Sequence, residues 1–245
     1  TNCLNASTRP RISFDERGWR KACRWAEEKT SIDWSDRERE LKALLTTYRR
    51  VDGQFDCVVP VSGGKDGSYV AHQLKHVHKM NPLCVTVTPA METALGRENL
   101  ASFIESGYNH VQVNPNPTAM QQLNRVGFVE MGFPYYGWLM AIMTAVVRVA
   151  ANFNINLIFY GEDGEVEYGG STETAHAPGY DFDYMRRVYY EGGQDLVLQK
   201  SGLPEEDLQF FRFPGTDGID KALYITHWSY FESWDPYRNY LVAKE

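Results

Sequence analysis

Cysteine is scarce in these 245 residues, with Cys3, Cys23, Cys57 and Cys84 the only four. Cys57 and Cys84 fall inside apolar, strand-like runs, where a thiol serves as a small buried hydrophobe. Basic charge is also short. The chain carries 25 Lys and Arg against 32 Asp and Glu, a net charge of −7. That balance excludes a broad basic surface for gripping RNA or DNA, while leaving room for a local basic pocket. Long hydrophobic runs are lacking too. The longest, Trp138 to Ala151, is interrupted by Thr144 and Arg148 and falls short of the ~20 residues that span a bilayer. Thr1 to Glu28 is polar and has no apolar signal-peptide core, so a reducing cytoplasmic setting is expected. Internal repeats and low-complexity tracts are absent. What is present is enough for a packed core, since 43% of residues are hydrophobic.

Three regions differ in texture. Residues 1–50 read as a small N-terminal extension. Arg11 to Asp15 is a candidate short strand, Gly18 a turn, and Trp34 to Tyr48 an amphipathic helix with Leu41, Leu44, Leu45 and Tyr48 at helical spacing. Ser35 is its expected N-cap. Residues 51–170 alternate strand and helix. Strands are expected at 55–61, 83–88, 110–113 and 156–160, and helices at 68–79, 97–106, 118–131 and 138–153. Strands that are apolar on both faces imply a parallel sheet covered on both sides, hence an α/β fold. Ligands of such sheets bind beyond the strands' carboxyl ends. Residues 171–245 are polar, aromatic and glycine-punctuated, and read as an irregular lid with a short helix near Pro204.

The first expected strand runs into Ser62-Gly63-Gly64-Lys65-Asp66-Gly67-Ser68 and then a helix. Paired glycines let the backbone curl against an anion without a Cβ in the way. The turn's amides and the helix N-terminus then point at that anion together. Ser62 and Ser68 add hydroxyls and Lys65 a full positive charge. Asp66 suits a phosphate site only if a cation such as Mg²⁺ lies between. The Walker pattern Gly-x-x-x-x-Gly-Lys-Ser/Thr fails, because Asp66 follows Lys65 and position 59 is Val. The dinucleotide spacing Gly-x-Gly-x-x-Gly fails as well.

A second loop, Gly161 to Gly170, reads Gly-Glu-Asp-Gly-Glu-Val-Glu-Tyr-Gly-Gly at another strand end. Four carboxylates this close repel unless solvated or neutralised by a cation. Glu162 and Glu167 are the favoured catalytic and Mg²⁺-binding pair, with Glu165 the alternate ligand.

At Ser62-Gly63-Gly64-Lys65-Asp66 the chain resembles the PP-loop ATP pyrophosphatases, whose mark is Ser-Gly-Gly-x-Asp-Ser. Gly67 stands where that pattern has serine, with Ser68 next to it. The resemblance implies a Rossmann-like parallel sheet of the adenine nucleotide alpha hydrolase-like type and cleavage of ATP between its α and β phosphates. Nucleotide contacts are implied at Ser62 to Ser68, Val85 and Gly161.

More widely, the chain is similar to the N-acetyl sugar amidotransferases of surface-polysaccharide and flagellin-glycan biosynthesis. The match is carried by Arg11-Ile12-Ser13-Phe14-Asp15-Glu16, Ile32-Asp33-Trp34, Asp56 to Asp66, Asn81 to Val85, Gly96 to Leu100, the whole Gly161 to Gly170 loop and Trp234-Asp235-Pro236. Members of that family continue well past the position of Glu245. Their N-terminal region resembles a four-cysteine zinc knuckle, of which Cys3 and Cys23 match one thiol of each pair. Arg20 stands at another, so Zn²⁺ is implied only weakly.

The implied reaction turns the acetamido group of a nucleotide-linked N-acetyl sugar into an acetamidino group. Lys65 and Mg²⁺ on Asp66 would stabilise the leaving pyrophosphate. Arg97, Tyr168 and Gly169 are the expected substrate contacts. No glutaminase triad is visible, so a separate glutamine amidotransferase subunit is expected to supply ammonia. The oligomeric state is left open, a homo-oligomer included. Two other readings stand beside this one, a PP-loop tRNA-modifying sulfurtransferase and a non-catalytic nucleotide-binding subunit.

Overall fold

The computed structural model describes residues 4–6, 8, 12–214 and 223–245. Cys3 and Arg11 lie outside the described residues. Phe14 forms an isolated antiparallel bridge with Arg20, closed by a turn in which Gly18 has φ 75°. Helix α1 (Lys21–Glu28) and a 3-10 turn (Lys29–Ser31) follow. Helix α2 (Trp34–Tyr48) is capped by Asp33, whose carboxylate accepts from the Ser35 and Asp36 amides, so the expected cap at Ser35 is displaced by two residues. Asp33 combines extended backbone with an acceptor that reaches two orphan amides, whereas Ser35 is already inside the first turn.

Five strands form one parallel sheet: β1 (Cys57–Pro60), β2 (Pro82–Val87), β3 (Asn109–Val113), β4 (Leu157–Tyr160) and β5 (Tyr224–His227), in the order β3-β2-β1-β4-β5. Helices α3 (Lys65–His72), α4 (Ala94–Glu105), α5 (Pro117–Met131) and α6 (Tyr136–Asn152) provide the crossovers. The alternation of side chains along each strand sorts the core onto two faces. Val58, Leu83, Val85 and Ile158 pack beneath α5 and α6, while Cys57, Val59, Cys84, Leu157 and Phe159 pack against α2, α3 and α4. The fold is α/β, as expected. Burial raises the thiol pKa of both strand cysteines, Cys84 to about 12. They are packing residues.

Two expectations shift. Helix α3 begins at Lys65 rather than Ser68, because Gly64 already has extended capping backbone. The segment read as an irregular lid carries, among its described residues, more short helices than the one expected near Pro204. Following α7 (Gly164–Tyr168), helix α8 (Phe182–Tyr184) continues into a π-type turn (Met185–Tyr189), and α9 (Gln194–Ser201) precedes a 3-10 turn (Glu205–Leu208). Beyond it, β5, α10 (Trp228–Phe231) and α11 (Pro236–Lys244) complete the sheet edge. Tyr-Ile-Thr-His is too short to stand out as a strand, but it pairs along all of β4, from Leu157↔Tyr224 to Tyr160↔His227. Among the described residues no single helix is long and apolar enough to cross a membrane. Most of the apolar helix α6 is buried against the sheet.

Strand order reverses between β1 and β4. The loops that follow these two strands are the glycine loop and the acidic loop, so the fold places both at the switch point where open sheets bind ligands.

Candidate active site

The glycine loop is held tightly from outside. Gly63 has φ 74°, and a Cβ there would lie 2.5 Å from the Leu100 amide nitrogen and 2.9 Å from the Asn99 carbonyl carbon. Position 63 therefore needs glycine both for its left-handed backbone and for the approach of α4. Gly67 is constrained differently. A Cβ on it would come 2.8 Å from the Pro60 carbonyl oxygen and 3.1 Å from the Val61 Cα, because the first turn of α3 presses against the end of β1. Glycine at 67, where serine was expected, thus follows from helix–strand packing. Gly67→Ser should lower stability by about 2 kcal/mol through overpacking, as thermal melts would register.

Lys65 and Asp66 open α3 and form an ion pair. The other Asp66 oxygen, Oδ1, accepts from the Asn239 side-chain amide of α11 at 3.0 Å. Gly63, Gly64, Lys65 and Ser68 line a cleft of about 530 Å³, continued by Asn99 and Ser102 of α4 and bounded by Tyr240 of α11. That volume is in the range of small-molecule sites, ~300–1,000 Å³. Ser62 is exposed beside it.

From the other side, Gly161 follows β4, and a Cβ on it would lie 3.2 Å from the Trp234 ring and 3.6 Å from the Asp66 Cβ. The two loops therefore meet at Asp66 and Gly161. Burial raises the pKa of the Glu162 carboxyl, and the charge of Asp66 raises it further. The Tyr168 hydroxyl donates to Glu162 at 3.5 Å, and its pKa is pushed up to about 12 by burial and these carboxylates.

The remaining acidic-loop residues turn elsewhere. Glu167 accepts from the Trp25 indole at 2.8 Å and pairs with Lys29 at 2.7 Å, docking the N-terminal helices. Glu165 accepts from the Ser171 amide at 2.7 Å. Gly169, expected to touch substrate, has φ 88° and sits where a Cβ would approach the Ala22 nitrogen to 2.8 Å. Glu167 and Gly169 thus form the joint with α1 and the turn after it, while Glu165 braces the loop itself. Nor is Val85 brought to the site. Its side chain is buried in the core and its carbonyl accepts from the Val61 amide. Arg97 is 59% exposed beside Glu92, on α4 but outside the cleft lining.

Glu167 is nearly buried, so losing it leaves both an indole N–H and an ammonium without a partner. Glu167→Ala should cost about 3 kcal/mol. Glu167→Gln keeps an acceptor for Trp25 and should recover part of that loss. Denaturant titration would check the pair.

Among the described residues, no group of three or more His, Cys, Asp and Glu side chains could hold a metal ion. Mg²⁺ asks for less, since one or two carboxylates suffice when phosphates and waters complete its shell. Asp66, with Glu162 beside it, fits that requirement. Cys23 lies in α1 and offers a single described thiol there.

One polar cluster had no sequence signal. Asp163, 5% exposed, caps α7 and accepts from the Thr174 and Tyr189 hydroxyls, while the Ser229 hydroxyl accepts from its amide. His227 at the end of β5 stacks on Tyr180 and lies 3.7 Å from Asp163. Burial lowers the His227 pKa, and Asp163 only partly opposes this. The neutral imidazole is therefore the folded form. Its stabilising contribution is complete above the unfolded value of ~6.5 and is lost as pH falls through the lower folded value. Urea titrations from about pH 7.5 to 5.5 should show stability falling by up to ~1.4 kcal/mol per unit, a slope that His227→Gln flattens.

No family model matches the chain. An uncharacterised protein of Methanocaldococcus jannaschii is 36% identical over 50 residues, covering 20% of this chain and 18% of that protein's length. Among solved structures, the chain is similar to a U34-tRNA thiolase of Methanococcus maripaludis bearing a 4Fe-4S cluster, at 17% identity and TM-score 0.45, over 86% of this chain and 64% of that one. It is also similar to a predicted subunit of tRNA methyltransferase from Methanocaldococcus jannaschii, at 11% identity and TM-score 0.39, over 77% and 74%. A third is the NAD+ synthetase of Burkholderia pseudomallei, at 16% identity and TM-score 0.36, over 92% and 96%.

Proposed function

We propose that the chain is an ATP-dependent enzyme of the PP-loop kind that cleaves ATP between the α and β phosphates and transfers the adenylyl group to an acceptor oxygen. The observation that carries this reading is the glycine loop. Gly63 is left-handed against α4, and Lys65, at the start of α3 and next to Asp66, lines a nucleotide-sized cleft. In this reading the amides at 63–65 and the hydroxyls of Ser62 and Ser68 hold the β and γ phosphates. Lys65, released from Asp66, stabilises the charge that grows on the departing pyrophosphate. Asp66 and Glu162 would hold Mg²⁺, which supplies further neutralisation of that charge.

For the acceptor, we propose the acetamido oxygen of a nucleotide-linked N-acetyl sugar. The oxygen bonds to the α phosphorus as the bond to pyrophosphate breaks. Ammonia, delivered by a glutamine amidotransferase partner, then adds to the imidate carbon, and the original oxygen leaves on AMP. Two features favour this over sulfur insertion into tRNA. The net charge is −7, and the buried thiols of Cys57 and Cys84 are held protonated, so neither is a sulfur carrier.

The test is to incubate the protein with ATP, Mg²⁺, ammonium and UDP-N-acetyl sugars and to weigh the sugar. Exchange of O for NH lowers its mass by about one unit, the atomic difference for the carbonyl displacement just described. AMP release that requires tRNA instead of sugar would move the acceptor to a base carbonyl. ATP binding without turnover on either would leave a nucleotide-binding subunit.

A further inference from the structure

The C-terminal helix reaches back into the glycine loop through one side chain. Asn239 is 0% exposed, and its amide nitrogen donates to Asp66 Oδ1 at 3.0 Å. The orientation of that amide is fixed independently, because Asn239 Oδ1 accepts from Arg238 Nη2 at 3.2 Å. Arg238 pairs with Glu232 at 3.0 Å and lies 4.6 Å over the Tyr69 ring. Glu232 accepts from the Tyr69 hydroxyl at 2.8 Å, and Tyr69 lies on α3, one turn from Asp66. Contacts therefore leave α3 at Tyr69, pass through Glu232, Arg238 and Asn239, and return to α3 at Asp66. Trp234, within the same segment, packs over Gly161.

A buried amide is costly to orient unless both ends are paired, and here both are. The loop of contacts holds one Asp66 oxygen on a neutral donor. Among the described residues, the other oxygen pairs with Lys65, a flexible cation that a phosphate can draw away. A neutral donor leaves the carboxylate charge intact, as a cation ligand requires, and fixes the direction of its free lone pairs.

We propose that Asn239 is a positioning residue for the nucleotide site, aiming the free oxygen of Asp66 at the divalent cation that accompanies ATP. The C-terminal helix is thereby part of the ATP site. This inference rests on the ATP reading above, and it says nothing about the acceptor.

The test measures ATP binding by calorimetry in Mg²⁺ and in EDTA, for the wild type, Asn239→Ala and Asn239→Asp. Wild-type affinity should rise with Mg²⁺, and Asn239→Ala should lose about tenfold of that rise while its affinity in EDTA is unchanged. A fold defect would weaken both conditions alike, so the Mg²⁺-specific loss separates positioning from structure. Asn239→Asp keeps the side-chain shape but sets two carboxylates face to face. Mg²⁺ without nucleotide should then raise its melting temperature and leave that of the wild type unmoved. Both variants keeping the wild-type response to Mg²⁺ would overturn the positioning role and leave the ATP reading standing. Wild-type protein that binds no ATP in either condition would overturn both.

Discussion

Lys65→Ala should abolish measurable turnover while leaving the protein folded. The Lys65 side chain is 39% exposed and pairs with Asp66, itself 26% exposed. Such a half-solvated pair contributes ~0–1 kcal/mol, so melting should barely change. Its catalytic weight is of another order. In the resting site the ammonium neutralises Asp66. In the proposed reaction the same ammonium, which lines the cleft, would face the departing pyrophosphate. Removing one preorganised group of this type costs ~10²–10³ in rate, or about 3–4 kcal/mol of transition-state stabilisation. Pre-steady-state release of pyrophosphate would show it, with ATP affinity reduced far less than the rate. Equal losses in binding and rate would place Lys65 in ground-state binding only.

Gly63→Ala should destabilise the fold and disable the glycine loop together. Alanine at φ 74° is strained, and its Cβ would sit 2.5 Å from a backbone nitrogen of α4, which no side-chain rotation relieves. Left-handed backbone costs a non-glycine residue ~1–2 kcal/mol and an unrelieved clash in a packed region ~1–3 kcal/mol. A total of about 3 kcal/mol corresponds to a fall in melting temperature on the order of 10 °C for a chain of this size. ATP binding should be lost as well, since either α4 withdraws or the loop uncurls, and both disperse the amides aimed at phosphate. Gly64→Ala is the control. Its φ is −80°, and its Cβ would meet only the Ser62 hydroxyl at 3.3 Å. It should melt within about 1 kcal/mol of wild type, the cost of a modest steric adjustment.

The sheet and the glycine loop were legible because their signals are local. Val58-Val59-Pro60-Val61 followed by Ser62 and two glycines states both a buried strand and the turn that ends it. The apolar run Leu157 to Tyr160, ending at Gly161, states the second half of the switch point. The acidic loop was legible as a place but not as a set of roles. The sequence favoured Glu162 and Glu167 over Glu165, and for Glu167 the fold gives a different role. Only the fold shows Glu167 taken by Trp25 and Lys29, Glu165 by Ser171, and Glu162 left beside Asp66. Gly169 was expected as a substrate contact, yet its left-handed backbone serves the docking of α1. Strand β5 and Asn239 were illegible because both are defined by distant partners. Four residues with two small or polar members carry no period, and an asparagine 173 positions from Asp66 gives no sign of facing it. Gly67 shows the reverse case. Its identity was plain and looked like a lost phosphate contact, until packing against Pro60 supplied its cause.

Phosphorus-31 NMR of the nucleotide products gives the most direct test of the central claim. With ATP, Mg²⁺, ammonium and an N-acetyl nucleotide sugar present, the α–β cleavage proposed here predicts AMP and pyrophosphate in equal amounts, both absent in Lys65→Ala. ADP and inorganic phosphate as the primary products would place the break between the β and γ phosphates and contradict the account.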